Sequence, residues 1–311
     1  MNTNKMKTTN WLIGLVLLML TSGTLKAQQE AQFTQAFENI INVNPAYAGS
    51  RGVMNFSDIS RAQWIGFDGN PQTTALSMNT PVFKESLGTG LSLVHDRVGP
   101  MKQTTVNFDV ASSVKVDRHG GRLAVGLQGG FNAISVRTDN LQTTDFADPE
   151  LMYNLDGRVN LNMGVGMYYY SPVWYAGIST PKVLEKSYDG LVSNNLEQRH
   201  YYCIAGGIFS VHPDWKLKPA MQLRFTNNAP LDLDLSMSGI FRDRLWLGTM
   251  YRLNAAYGVF VQYQVTPQFK AGVASDFDTS RIRKYHSGSF EVLLSYDLMF
   301  NKAGIRSPRY F

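Results

Sequence analysis

Chemistry in this 311-residue chain would have to come from its histidines, its carboxylates or its glycine-rich runs. The histidines, His95, His119, His200, His212 and His286, are scattered without the short spacing of a zinc site, and three lie beside expected turns, where solvated histidine is the default. Asp232 and Asp234 share one strand face and could act as an acid and base pair. In a barrel they read instead as solvated lumen carboxylates. Asp139, Asp145, Asp148, Glu150 and Asp156 could gather around calcium, but their spacing matches no EF-hand loop, and a solvated acidic loop is the preferred reading. The runs Gly88-Thr-Gly90 and Gly164-Val-Gly166 lack the third glycine and following helix of a dinucleotide loop. At period two they are small residues on the inner face of a strand. No G-x-S-x-G elbow, P-loop or H-E-x-x-H occurs, and no Ser and His constellation announces a lipid hydrolase. The expectation is a non-enzymatic chain without cofactor or metal.

The elements that would position such residues begin with an export signal. Lys5 and Lys7 precede an apolar run from Trp11 to Leu20, and small and polar residues follow up to Ala27. That run is too short to span a bilayer, which takes about 20 residues, so 1–27 reads as a signal peptide cut near Ala27. The only cysteine, Cys203, permits neither an internal disulfide nor an N-terminal lipid anchor. Without Lys5, Lys7 and Lys26 the mature chain has 26 basic against 24 acidic residues, which gives no reason to expect nucleic acid as a partner. No small-molecule substrate is expected either.

From about residue 52 onward the pattern has period two. Leu161, Met163, Val165, Met167 and Tyr169 alternate with Asn160, Asn162, Gly164, Gly166 and Tyr168. Leu231, Leu233, Leu235 and Met237 alternate with Asp232, Asp234, Ser236 and Ser238. Phe290, Val292, Leu294 and Tyr296 are likewise set against Glu291, Ser295 and Asp297. About fourteen strands result, from 52–63 and 72–80 to 267–277 and 288–300. A soluble sandwich can also alternate, but it has no reason to sort its connections by parity. Here the connections after even-numbered strands are short, whereas the three longest, 137–157, 181–197 and 278–287, all follow odd-numbered ones. The fold class predicted is therefore all-β, a transmembrane antiparallel barrel of outer-membrane type. Tyr168, Tyr169, Tyr170, Trp174, Tyr175, Trp215, Phe241 and Phe269 cluster near short turns and read as its periplasmic aromatic girdle.

Residues 28–50 lack the strand pattern. Phe33, Phe37, Ile40 and Ile41 are spaced as on one face of a short helix, ended by Asn44 and Pro45, and this segment is expected inside the barrel mouth or on the periplasmic side. The barrel takes 51–300, and 301–311 forms a periplasmic tail.

One stretch is more specific than the rest. It runs through Gln32-Phe-Thr-Gln35, the box Asn44, Pro45, Ala46, Tyr47, Ala48 and Gly49, then Arg61, Gln63 and Trp64, and Gly66, Phe67 and Pro71. With Trp174-Tyr-Ala-Gly-Ile-Ser-Thr-Pro181 and Ser287-Gly-Ser-Phe-Glu-Val-Leu-Leu-Ser-Tyr296 in matching order, the chain resembles the PorP/SprF family of Bacteroidetes. The resemblance implies a non-enzymatic outer-membrane protein of the type IX secretion and gliding machinery, needed for secretion or surface attachment of cargo proteins. Its partners would be exported cargo or adhesins, other secretion components and membrane lipid, with both termini periplasmic. The alternative is a passive porin for small solutes. The motif residues read as structural markers: Pro45 fixes the backbone, Gly49 permits a tight lead into the first strand, and Arg61 and Trp64 serve as interfacial anchors.

Overall fold

The computed structural model describes residues 31–83, 86–137, 155–184, 198–227, 230–298 and Phe311. The expected signal peptide, the acidic residues Asp139 to Glu150, the side chain of Asp156 and the tail at 301–310 lie outside the described residues.

Among the described residues fifteen strands are joined edge to edge: β1 (Met54–Ala62), β2 (Gln72–Phe83), β3 (Leu87–Val98), β4 (Met101–Lys115), β5 (Arg122–Val136), β6 (Leu155–Tyr170), β7 (Trp174–Thr180), β8 (His200–Gly207), β9 (Phe209–His212), β10 (Trp215–Thr226), β11 (Asp232–Phe241), β12 (Leu245–Arg252), β13 (Ala256–Gln264), β14 (Phe269–Asp278) and β15 (Ser289–Leu298). β8 and β9 both pair with β10 and are separated only by Ile208, so they form one interrupted stave. The wall therefore has fourteen staves, as the sequence predicts. Each neighbouring pair is antiparallel, and the two closures are β1 on β15, with Met54 opposite Leu298, and β10 on β11. A closed ladder leaves no free edge, which is the condition for a sheet to sit in hydrocarbon, where no water can satisfy an unpaired peptide group.

The alternation sorts side chains in the sense opposite to a soluble protein. Leu127 and Leu161 are 63% and 65% exposed on the outer wall, while Asn162 and Tyr168 between the outward residues of β6 are buried inside. On β15, Phe290, Val292, Leu294 and Tyr296 face out and Glu291, Leu293, Ser295 and Asp297 face in. The apolar belt is thus outside and the polar face inside. The three long connections leave from one mouth, and the tight turns, such as Arg242-Asp243 with φ of 49° and 57°, close the other.

Two expectations are corrected. The tyrosines at 168–170 do not all belong to a girdle, because consecutive strand residues cannot share a face. Tyr168, stacked on Tyr170 and packed on Tyr175, lies in the lumen, whereas Tyr169 and Trp174 stack outside at 4.4 Å and Trp215 and Phe241 at 5.0 Å. The segment before β1 is not one short helix but three single 3-10 turns, Ala36–Glu38, Ile40–Asn42 and Pro45–Tyr47. Asn39, at φ -134° and ψ 57°, breaks the first from the second, and neither of these two has a side-chain cap. Anchoring to different parts of the wall overrides the helical spacing.

The outward placement has a direct test. Leu127→Arg would put a guanidinium in the lipid belt and should destabilise the barrel in vesicles by about 2–4 kcal/mol, measured by denaturant unfolding. On a water-facing strand the same change would be close to neutral.

Candidate functional site

The lumen is where the sequence motifs, the buried charges and the glycines meet. Residues 31–53 do not lie below the barrel but run through it. The wall contacts trace the path. Gln32 Nε2 donates to Asp232 Oδ2 at 2.8 Å, at the mouth with the long connections, and Gly49 N donates to Asn79 Oδ1 at 3.1 Å near the mouth with the tight turns. The segment therefore begins at one mouth and reaches the other where β1 starts.

The box is held by shape. Asn44 caps the third turn, its Oδ1 accepting from Ala46 N at 3.0 Å, while its Nδ2 donates to the Met167 carbonyl of β6 at 3.0 Å. Ser179 Oγ of β7 donates to the Val43 carbonyl at 2.6 Å. The wall opposite has no side chains to obstruct this approach. A Cβ on Gly126 would lie 2.3 Å from Ala46 N, one on Gly166 2.2 Å from Asn44 Oδ1, and one on Gly88 2.3 Å from the Ala48 carbonyl oxygen. Three strands thus use glycine to form a slot for the box backbone. Tyr47 then packs edge-on against Tyr168 at 5.6 Å, and Phe311 packs on Tyr175 at 4.9 Å from another side.

Charge holds the rest at two levels. Near the tight-turn mouth, Glu38 of the segment lies between Lys218 of β10, at 3.2 Å, and Lys270 of β14, and Arg51 pairs with Asp297 of β15 at 3.3 Å. Near the other mouth, Arg61 of β1 bonds Asp276 through both Nη atoms at 3.0 and 2.7 Å and Glu291 at 2.6 Å. One cation against two carboxylates leaves a net negative charge, and the backbone N–H groups of Thr34 and Gln35 both donate to Glu291. The segment's own backbone completes this cluster. Arg252 links Asp234, at 2.9 Å, to the Phe33 carbonyl at 3.3 Å, and Arg224 pairs with Asp232.

These contacts divide the motif residues between two places. Asn44, Pro45, Ala46, Tyr47 and Gly49 gather in the lumen with Arg61, which is a buried ion-pair partner and not the interfacial anchor expected from its position near a strand end. Asp232 and Asp234 do face the lumen, but as ion-pair partners of Arg224 and Arg252, not as solvated carboxylates. Gln63, Trp64, Gly66, Phe67 and Pro71 form the β1–β2 connection at the long-loop mouth instead. Gln63 N donates to the Pro71 carbonyl at 2.9 Å, Phe67 N to the Trp64 carbonyl at 3.1 Å, and Gly66 has a φ of 94°. Trp64 Nε1 donates to Asp278 Oδ2 at 2.9 Å, beside His286. Glu38, Arg51, Lys218 and Lys270 were not foreseen. Their signal was an inward-facing lysine at period two, which must find a counter-ion. Among the described residues no group of three His, Cys, Asp or Glu side chains could hold a metal ion.

Arg61→Ala would leave Asp276 and Glu291 uncompensated and should cost about 3–5 kcal/mol in denaturant unfolding.

The family described as type IX secretion system membrane protein PorP/SprF matches residues 25–296. No curated protein matches the chain in sequence. Solved structures with a similar trace include the Acinetobacter baumannii outer membrane protein Omp33, at 8% identity and a TM-score of 0.46 over 79% of this chain and 98% of that one. A Pseudomonas aeruginosa FadL homologue gives 11% identity and a TM-score of 0.46 over 82% and 93% of the two chains. The KdgM porin in complex with disordered oligogalacturonate gives 9% and 0.37 over 79% and 99%. With the motif order, the closed barrel and the family match over most of its length, the chain belongs to the PorP/SprF family of type IX secretion system membrane proteins.

Proposed function

We propose that this chain is a non-enzymatic, plugged outer-membrane barrel that supports secretion or surface attachment of particular cargo proteins by binding them, or an envelope-spanning component of the type IX system. The observation that carries this reading is the filled lumen. Residues 31–53 contact both sides of the wall and are tied to it at two levels by buried charge, which favours protein binding at the mouths over solute passage through the middle. The porin reading needs an open path and is disfavoured on the same ground. The long connections are proposed to face outside, as in outer-membrane barrels generally, with the end of β15 on the periplasmic side. On this orientation the half-buried Gln32 and Phe33 lie at the external mouth, so the N-terminal end of the plug is proposed to open outside, a departure from the two periplasmic termini expected from the sequence. Cargo choice then resides in the long connections and this end, and cargo in a gliding species would include motility adhesins.

Deletion of the gene should remove a defined set of proteins from the cell surface and culture fluid while the membrane barrier to small antibiotics stays intact. Unchanged surface and secreted proteomes would overturn the secretion role. Loss of small-solute uptake with secretion intact would favour the porin.

A further inference from the structure

We propose that the outer wall of β3 and β4 at the long-loop mouth is a binding site for a phosphorylated glycolipid of the outer leaflet. This rests on the orientation proposed above. Arg97 and Lys102 stand directly opposite each other across the β3–β4 ladder, both exposed, and one step down the same face His95 stands opposite Thr104, with His95 Nδ1 2.9 Å from Thr104 Oγ1. Below them the face becomes apolar, with Leu91 at 43% and Phe108 at 53% exposure. Like charges directly opposite on a sheet repel, and an unrelieved pair is unfavourable unless an anion sits between them. Among the described residues no carboxylate relieves this one. The outward residues of the flanking strands at that height are Gln72 and Thr74 of β2 and Ala133 and Ser135 of β5, and Asp96 turns inward to accept from Thr73 Oγ1 at 2.6 Å. Asp68, in the neighbouring β1–β2 turn, makes no ion pair with either cation.

The vertical order matches an amphiphile. Acyl chains would lie on Leu91 and Phe108, and a phosphate would sit three same-face steps higher, about 20 Å along the strands, between the guanidinium and the ammonium. At the opposite mouth two of the basic groups have acidic partners, Arg242 with Asp214 and Lys216 with Asp243. A diphosphorylated glucosamine lipid is the occupant whose charge and layout fit, rather than a free phosphate, which would not use the apolar wall.

Native mass spectrometry of the full barrel in neutral phosphatidylcholine nanodiscs tests this with diphosphoryl lipid A, its dephosphorylated form and phosphatidylglycerol as probes. The wild type should bind diphosphoryl lipid A best, and an R97Q/K102Q variant should bind it about tenfold more weakly or worse. Lys115→Gln, at the other mouth, should leave binding unchanged, and heat-modifiable mobility on gels verifies that each variant is folded. Equal binding of the dephosphorylated lipid, equal binding of phosphatidylglycerol, or full affinity in the double variant would overturn the site. Orientation is read separately. A Tyr285→Cys variant, at an exposed position, should react with an impermeant maleimide on intact cells. Labelling only after permeabilisation would overturn the assignment to the outer leaflet while leaving the nanodisc result standing.

Discussion

The structure depends on charge that can be neutralised only from inside the barrel. Lys218 and Lys270 project into the lumen from strands that are not neighbours, and the carboxylate between them comes from Glu38 of the segment before β1. Without Glu38, two ammoniums would face each other in a desolvated space. Removing one partner of such a cluster is far more costly than never having built it. The wall and the segment are therefore fitted to each other in charge, and the glycine slot for the box fits them in shape. Neither Gly126 nor Gly166 could accept a side chain with Asn44 to Ala46 in place.

Much of the wall was legible because membrane barrels write their environment at period two. The alternation on β6, β11 and β15, together with connections sorted by length, carried the strand number and the closed architecture. One interruption, at Ile208, divides a stave that reads as continuous in the sequence. The lumen was much less legible. Glu38 and Lys218 are 180 positions apart, and nothing local in a single sequence says which inward lysine meets which carboxylate. Arg61 shows the same limit. Near a strand end, periodicity says on which side an arginine points, but its partners Asp276 and Glu291 become visible only once β1 is closed on β15. The 3-10 turns were missed for a related reason, since the apolar spacing that suggests a helix is also produced by side chains fixed to different parts of a curved wall.

This division gives the family motif a physical sense. Its first half is the part of the plug that fits the glycine slot, and its second half, around Trp64 and Phe67, shapes a turn at the opposite mouth where the plug begins. The motif thus specifies both ends of one threaded segment. A barrel stoppered in this way leaves its mouths and its outer wall as the accessible surface.

Single-channel recording in planar bilayers distinguishes a stoppered barrel from an open one, by comparing the mature chain with a form lacking residues 31–49. The mature chain should be closed, with no steady conductance at neutral pH, and the shortened chain, once verified as a folded barrel, should show a steady open pore. A steady pore of equal size in both would contradict the stoppered barrel, because the segment would then not be what fills the lumen.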